Sequence, residues 1–194
     1  MAPDTGYLDR SGHVAHRRLT VADYHRMGEA GILTRDDRVE LIEGELIAMA
    51  PIGSDHAGAS VALTFLLNQA LRGRGFVSVQ NPVRLGDHSE PQPDVVVLKP
   101  RADYYRGATP QPEDVLLAIE IANSSLGFDR AVKLPLYASF GIPEYWIVDI
   151  QARAVEVCRG PLGDRYAEVS RIADGRVSMQ ALPDVGISVS ELFG

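Results

Sequence analysis

Val115-Leu116-Leu117-Ala118-Ile119-Glu120-Ile121-Ala122 is almost wholly apolar, and a single carboxylate, Glu120, interrupts it. A continuous apolar run, as opposed to polar–apolar alternation, predicts a strand covered on both faces, as in a mixed α/β sheet. Asp94–Leu98 and Tyr145–Asp149 read the same way. Between Val115–Ala122 and Tyr145–Asp149 lie the polar Asn123–Gly127 and a helical stretch to about Phe140, which suits a right-handed crossover joining parallel neighbours. Pro135 removes one backbone bond from that helix and predicts a kink.

Working outward, Val61, Leu63, Phe65, Leu66, Ala70 and Leu71 fit a helix over Ser54–Leu71, capped by Ser54 or Asp55 and stopped at Gly73. Phe76–Leu85 reads as a strand, divided from Asp94–Leu98 by the turn-rich Gly86–Pro93. Val39–Ile47 reads as a hairpin about Glu43-Gly44. Thr20 and Asp23, ahead of Tyr24, Met27 and Ile32, look like the cap of a first helix whose weak end is marked by Gly28 and Gly31. Residues 1–18 read as a mobile leader and 19–194 as one domain. Residues 153–184 resemble a polar meander with strands Ala154–Arg159, Tyr166–Ile172 and Val177–Ala181 and turns at Gly160–Asp164 and Asp174-Gly175. A short amphipathic element near Val189–Phe193 follows.

The 194 residues are 45% hydrophobic and 23% charged, which is globular usage and excludes collagen-like, coiled-coil or largely disordered chains. A net charge of −7 argues against a protein that coats nucleic acid through bulk electrostatics. It leaves room for an enzyme with a local basic surface, because an acidic metal site adds negative charge until its cation binds. The single cysteine, Cys158, excludes an internal disulfide framework and a multi-cysteine zinc site, so a reducing cytoplasm is the simplest compartment. No apolar run reaches the roughly 18 residues of a membrane span, and no signal pattern opens the chain. Gly-rich phosphate loops, Ser-His-Asp orders and zinc spacings are absent.

Burying Glu120 unpaired would cost several kcal/mol, so it must be paired, metal-bound or placed where its strand opens to solvent. Asp94 stands in a similar place, after Pro93 and directly before Val95-Val96-Val97-Leu98. Two carboxylates on neighbouring buried strands can converge on one hard divalent cation, which prefers oxygen ligands. Only two lysines, Lys99 and Lys133, stand among the 19 basic residues. Lys133, on the following helix, can reach a phosphate or water near Glu120, or can pair with Asp129 one turn back. Glu40 either supplies a third acid or faces water with Glu43 and Glu45. His56, at a helix start, either orients a phosphate or an acid, or simply caps and packs. Tyr145 and Trp146 read as core and interface aromatics, and Cys158, on an outer strand, lacks the surroundings of a nucleophile.

The order Val39-Glu40-Leu41-Ile42-Glu43-Gly44-Glu45-Leu46, Ser54-Asp55-His56, Gln92-Pro93-Asp94-Val95 and Glu120-Ile121-Ala122-Asn123-Ser124-Ser125 resembles the Uma2 family, the DUF820 group. Asp129, Lys133, Tyr137, Gly141–Asp149 and Glu191-Leu192-Phe193 extend the likeness over residues 20–194. That family is similar to the PD-(D/E)XK nucleases. The resemblance implies a restriction-endonuclease-like core, a mixed sheet flanked by helices, and a Mg²⁺- or Mn²⁺-dependent endonuclease acting on DNA. Asp94 and Glu120 would be the metal-holding acids, with Glu40 beside them. The usual motif has lysine two residues after the second acid, where this chain has Ala122, so the resemblance assigns that role to Lys133. His56 and Gln92 are accessory candidates, and a homodimer is an expectation of family analogy alone. Two other readings stay open: a non-catalytic binding or assembly protein on the same fold, and a metal-dependent hydrolase of small phosphoesters.

Overall fold

The computed structural model describes residues 16–34 and 36–194, so the leader expected over residues 1–18 lies outside the described residues as far as residue 15. The chain forms two compact units. One holds the described residues up to Met49 together with Gly86–Glu90, the other Ala50–Leu85 together with Pro91–Gly194.

In the first unit, helix α1 (Val21–Glu29) starts at the capping box expected of Thr20 and Asp23: the Asp23 amide donates to Thr20 Oγ1 and the Thr20 amide to the Asp23 carboxylate, each at 3.0 Å. The Thr20 amide and hydroxyl hold the Asp23 carboxyl down at about 2. Strands β1 (Val39–Ile42) and β2 (Glu45–Ala48) form the expected antiparallel hairpin. Glu43 and Gly44 turn through the left-handed region at φ 50° and 84°, as a tight primed turn requires. Position 44 admits only glycine, since a Cβ there would meet Arg18 Cβ at 2.5 Å. Glu90 bridges to Leu41, and its buried carboxylate meets His25 Nε2 at 2.7 Å.

The second unit is built on a six-stranded sheet. Helix α2 (Ser54–Leu71) precedes β3 (Phe76–Val79) and β4 (Val95–Leu98). Then come β5 (Val115–Ala122), a helical segment of α3 (Leu126–Phe128), a π turn (Asp129–Lys133) and α4 (Leu134–Ser139), and β6 (Glu144–Asp149). Strands β7 (Ala154–Leu162) and β8 (Arg165–Ile172) complete the sheet in the order β3-β4-β5-β6-β7-β8. Among the described residues only β5 and β6 pair parallel, and the helical segment between them is the crossover that the apolar runs called for. Strands β9 (Arg176–Ser178) and β10 (Gly186–Ser188) form a separate antiparallel ribbon, followed by α5 (Val189–Phe193).

Alternation along the strands divides the side chains between two faces. Val95, Val97, Leu117, Ile119, Ile121, Trp146 and Val148 pack with Ala59, Leu63, Leu67 and Leu71 of α2 in one core. Each fully buried leucine of that helix contributes about 1.5–3 kcal/mol. Asp94, Val96, Ala118, Glu120 and Tyr145 fall on the opposite face, where Tyr137 of α4 meets Tyr145 with ring centroids 5.0 Å apart.

Several expectations are corrected. The cap of α2 is Gly53, with no side-chain bond, rather than Ser54 or Asp55; Asp55 lies in the first turn, where its charge suits the helix dipole. The strand expected over Phe76–Leu85 ends at Val79, because Gln80 turns left-handed at φ 51° and gives its amide to the Asp94 carbonyl, and Pro82 has no donor to continue a ladder. Strand β7 runs through Gly160 to Leu162 and lies inside the sheet, so Cys158 is buried between neighbours instead of on an outer strand. Val177–Ala181 shortens to β9 and leaves the meander to pair with β10. Pro135 produces a π turn: the Leu134 amide bonds the Asp129 carbonyl five residues back, which widens the helix just where the proline follows.

Candidate active site

Glu120 sits two residues from the end of β5 and is 5% exposed. Its Oε1 accepts hydrogen bonds from Lys133 Nζ at 3.1 Å and from the Tyr137 hydroxyl at 2.8 Å. Lys133 ends the π turn and Tyr137 lies four residues on in α4, so the two donors project from the same side of the crossover helix. Lys133 is 3% exposed, and its ammonium pairs with Glu120 rather than standing at the surface. Glu120 Oε2 accepts the Asp94 amide at a longer 3.3 Å.

Asp94 directly precedes β4, one strand over. Its Oδ2 accepts the Ile121 amide at 2.9 Å and lies 2.9 Å from His56 Nε2. Its Oδ1 accepts no hydrogen bond from the described residues, and its side chain stays 13% exposed. His56 comes from the first turn of α2; with Gly53 as the cap, its ring turns to the Asp94 carboxylate instead of serving the helix end. Asp94, Glu120, Lys133 and His56 are therefore brought together from four elements, and Gln92 lies half-buried two residues ahead of Asp94. Glu40 is buried on β1 of the first unit, so it does not face water, while Glu43 and Glu45 do. Tyr137 is the site residue to which the sequence reading gave no role, although the family likeness runs through it and it stands four residues from Lys133.

A second buried carboxylate lies on β6. Glu144 is 0% exposed and accepts Trp146 Nε1 at 2.9 Å and Arg159 Nε at 2.8 Å on one oxygen, and the Gln180 amide at 2.6 Å on the other. Every donor aimed at it is matched, and no second acid stands beside it among these contacts.

A family model for Uma2, described as "Putative restriction endonuclease", matches residues 21–190. The chain belongs to the Uma2 family. A solved structure from Anabaena variabilis, titled a putative nuclease belonging to DUF820, is similar over 90% of this chain and 97% of that one, with a TM-score of 0.69 at 17% identity. Among curated proteins none matches. The likeness in structure establishes the restriction-endonuclease-like fold, a mixed sheet flanked by helices. Among the described residues no helix is long and apolar enough to cross a membrane.

The donor set of this cluster is compatible with a hard divalent cation. Its donors are carboxylate oxygens with no sulfur, and Asp94 Oδ1 is open to accept a ligand. The Glu120 carboxylate faces the Lys133 ammonium, and the Asp94 carboxylate faces His56. No group of three or more His, Cys, Asp and Glu side chains among the described residues is arranged to hold a metal. Two protein carboxylates, with water and substrate oxygens completing the shell, is a usual arrangement for Mg²⁺.

Proposed function

We propose that this chain is a Mg²⁺- or Mn²⁺-dependent endonuclease that hydrolyses phosphodiester bonds of DNA. The observation that carries the reading is the 3.1 Å contact between Lys133 Nζ and Glu120 Oε1. The motif lysine is missing at Ala122, and an ammonium from the next helix reaches the acid it should serve.

Asp94 and Glu120 would hold the cation, which when bound supplies Lewis acidity to the scissile phosphate and acidifies a water. Asp94 presents Oδ1 while the Ile121 amide and His56 fix Oδ2, so its carboxylate cannot swing away. Glu120 is steadied by Tyr137, which keeps one donor on Oε1 when Lys133 turns toward substrate. The Lys133 ammonium then offsets negative charge on the phosphate oxygens as the water attacks, a role for a compact point charge with three donors. Burial of the pair raises the value of each of these contacts, because little water screens them. The test is nicking of supercoiled plasmid with Mn²⁺ or Mg²⁺: wild type nicks and Asp94→Ala does not. Metal-dependent nicking that survives Asp94→Ala overturns the reading. Cleavage of small phosphoesters but not DNA moves the same site to the other hydrolase class.

A further inference from the structure

We infer that a groove beside edge strand β3 is a binding subsite for a single nucleic-acid strand, in which an unstacked base lies against Tyr104 and Arg106 takes a flanking phosphate. This rests on the nuclease reading above and adds a substrate contact to it.

The groove has a volume of about 600 Å³ and runs between β3 and the loop that joins β4 to β5. Register places it on the face that carries the carboxylates. Phe76 pairs with Leu98 and Ser78 with Val96, and Leu98 and Val96 alternate in step with Asp94. At one end Asn81 follows Gln80, whose amide bonds the Asp94 carbonyl. At the other end is Tyr104. By strand rise Asp94 and the start of that loop are about 17 Å apart, a few nucleotides along a strand. A strand entering the groove therefore continues toward the carboxylate pair without crossing the sheet.

Tyr104 is large, aromatic and 65% exposed, and its ring stacks on Phe76 with centroids 5.1 Å apart and planes at 25°. Phe76 fixes the plane of the exposed ring, which is what a stacking platform needs. Tyr104 and Tyr105 both stand in the left-handed region, at φ 53° and 60°. Bulky side chains rarely adopt that conformation, and two in succession call for a reason beyond turning the chain. The Arg106 guanidinium lies 5.8 Å from the Tyr104 ring centroid and makes no ion pair with a described acid. Asp103 nearby is already matched by two bonds from Arg101, which also lies over the Tyr105 ring. The groove wall has no carboxylate of its own in a chain of net charge −7, so an anionic strand meets its one uncompensated cation there. A base stacked on the ring and a phosphate on the guanidinium satisfy both exposed groups at once.

The experiment measures fluorescence anisotropy of labelled oligothymidylate bound to the full chain carrying Asp94→Asn, so that the strand is not cut. Tyr104→Ala is expected to weaken binding about 5- to 100-fold, and Tyr104→Phe to leave it within about twofold. Arg106→Gln lowers the slope of log K against log salt by about one. Tyr104→Gly separates strain from binding: glycine accepts the positive φ, so thermal stability is kept or raised while binding falls as far as in Tyr104→Ala. Equal affinity for parent and Tyr104→Ala overturns the subsite, as does no binding by the parent or a Tyr104→Phe loss matching that of alanine. Plasmid nicking by the wild type judges the nuclease reading separately, so either can fail without the other.

Discussion

Glu120 and Glu144 are both buried carboxylates on neighbouring parallel strands, each facing a cation, yet they are built for different ends. Glu144 spends both oxygens on three fixed donors and fastens β6 to β7 and to the start of the segment after β9. Glu120 shares one oxygen between Lys133 and Tyr137, holds a longer bond to the Asp94 amide, and lies beside a second acid with an open oxygen. A buried charge fixed by donors from three directions is structure; one that stands beside a second acid is where the proposal places a ligand.

The isosteric amides divide the two most sharply. Glu144→Gln must turn an NH₂ toward a donor whichever way the amide lies, so unfolding free energy in urea should fall by about 2–4 kcal/mol while the folded fraction nicks DNA normally. Glu120→Gln keeps an oxygen for Lys133 and Tyr137, but its NH₂ then faces the Asp94 amide and the buried Lys133 ammonium loses its carboxylate. Its stability should also fall, by about 3–5 kcal/mol, so the two variants part in activity: nicking by the folded fraction falls at least 100-fold, about 2.7 kcal/mol of transition-state stabilisation. The reverse pattern would exchange the roles assigned to the two acids. Tyr137→Phe, which removes one donor from Glu120, should cost about 1 kcal/mol in the same urea titration and weaken Mn²⁺ binding.

Cys158 sharpens the contrast from the closed side. Burial first, and then the Glu156 carboxylate, push its thiol up to about 12. It should resist a disulfide reagent at pH 8 in the folded protein and react fully in denaturant. Asp23 sets the smallest effect. Its folded carboxyl is held at about 2, below the ordinary 3.8, so its contribution is present above that ordinary value and is lost as pH falls toward 2. Thermal melts of wild type and Thr20→Val should differ at pH 5 and converge at the acid end.

Much of this arrangement is readable in the chain. Val115–Ala122 announces a strand buried on both faces, and Glu120 within it announces a need for partners, both of which follow from apolar patterning and the cost of buried charge. Thr20, Asp23 and Glu43-Gly44 are local signals, and local signals survive into the structure. What patterning could not supply is anything decided by a distant amide or by helix phase. Strand β3 stops because Gln80 bonds Asp94, the π turn beside Pro135 sets where Lys133 and Tyr137 point, and His56 turns to Asp94 only because Gly53 takes the cap. The Tyr137 hydroxyl was hidden for the same reason, since an aromatic in an amphipathic helix reads as core until its oxygen is seen on Glu120.

Isothermal titration of Mn²⁺ into wild type and Glu120→Gln tests whether the Asp94–Glu120 pair is a cation site. Saturable binding by the wild type that disappears in the variant is the predicted result; equal binding by both proteins, or none by the wild type, would contradict it.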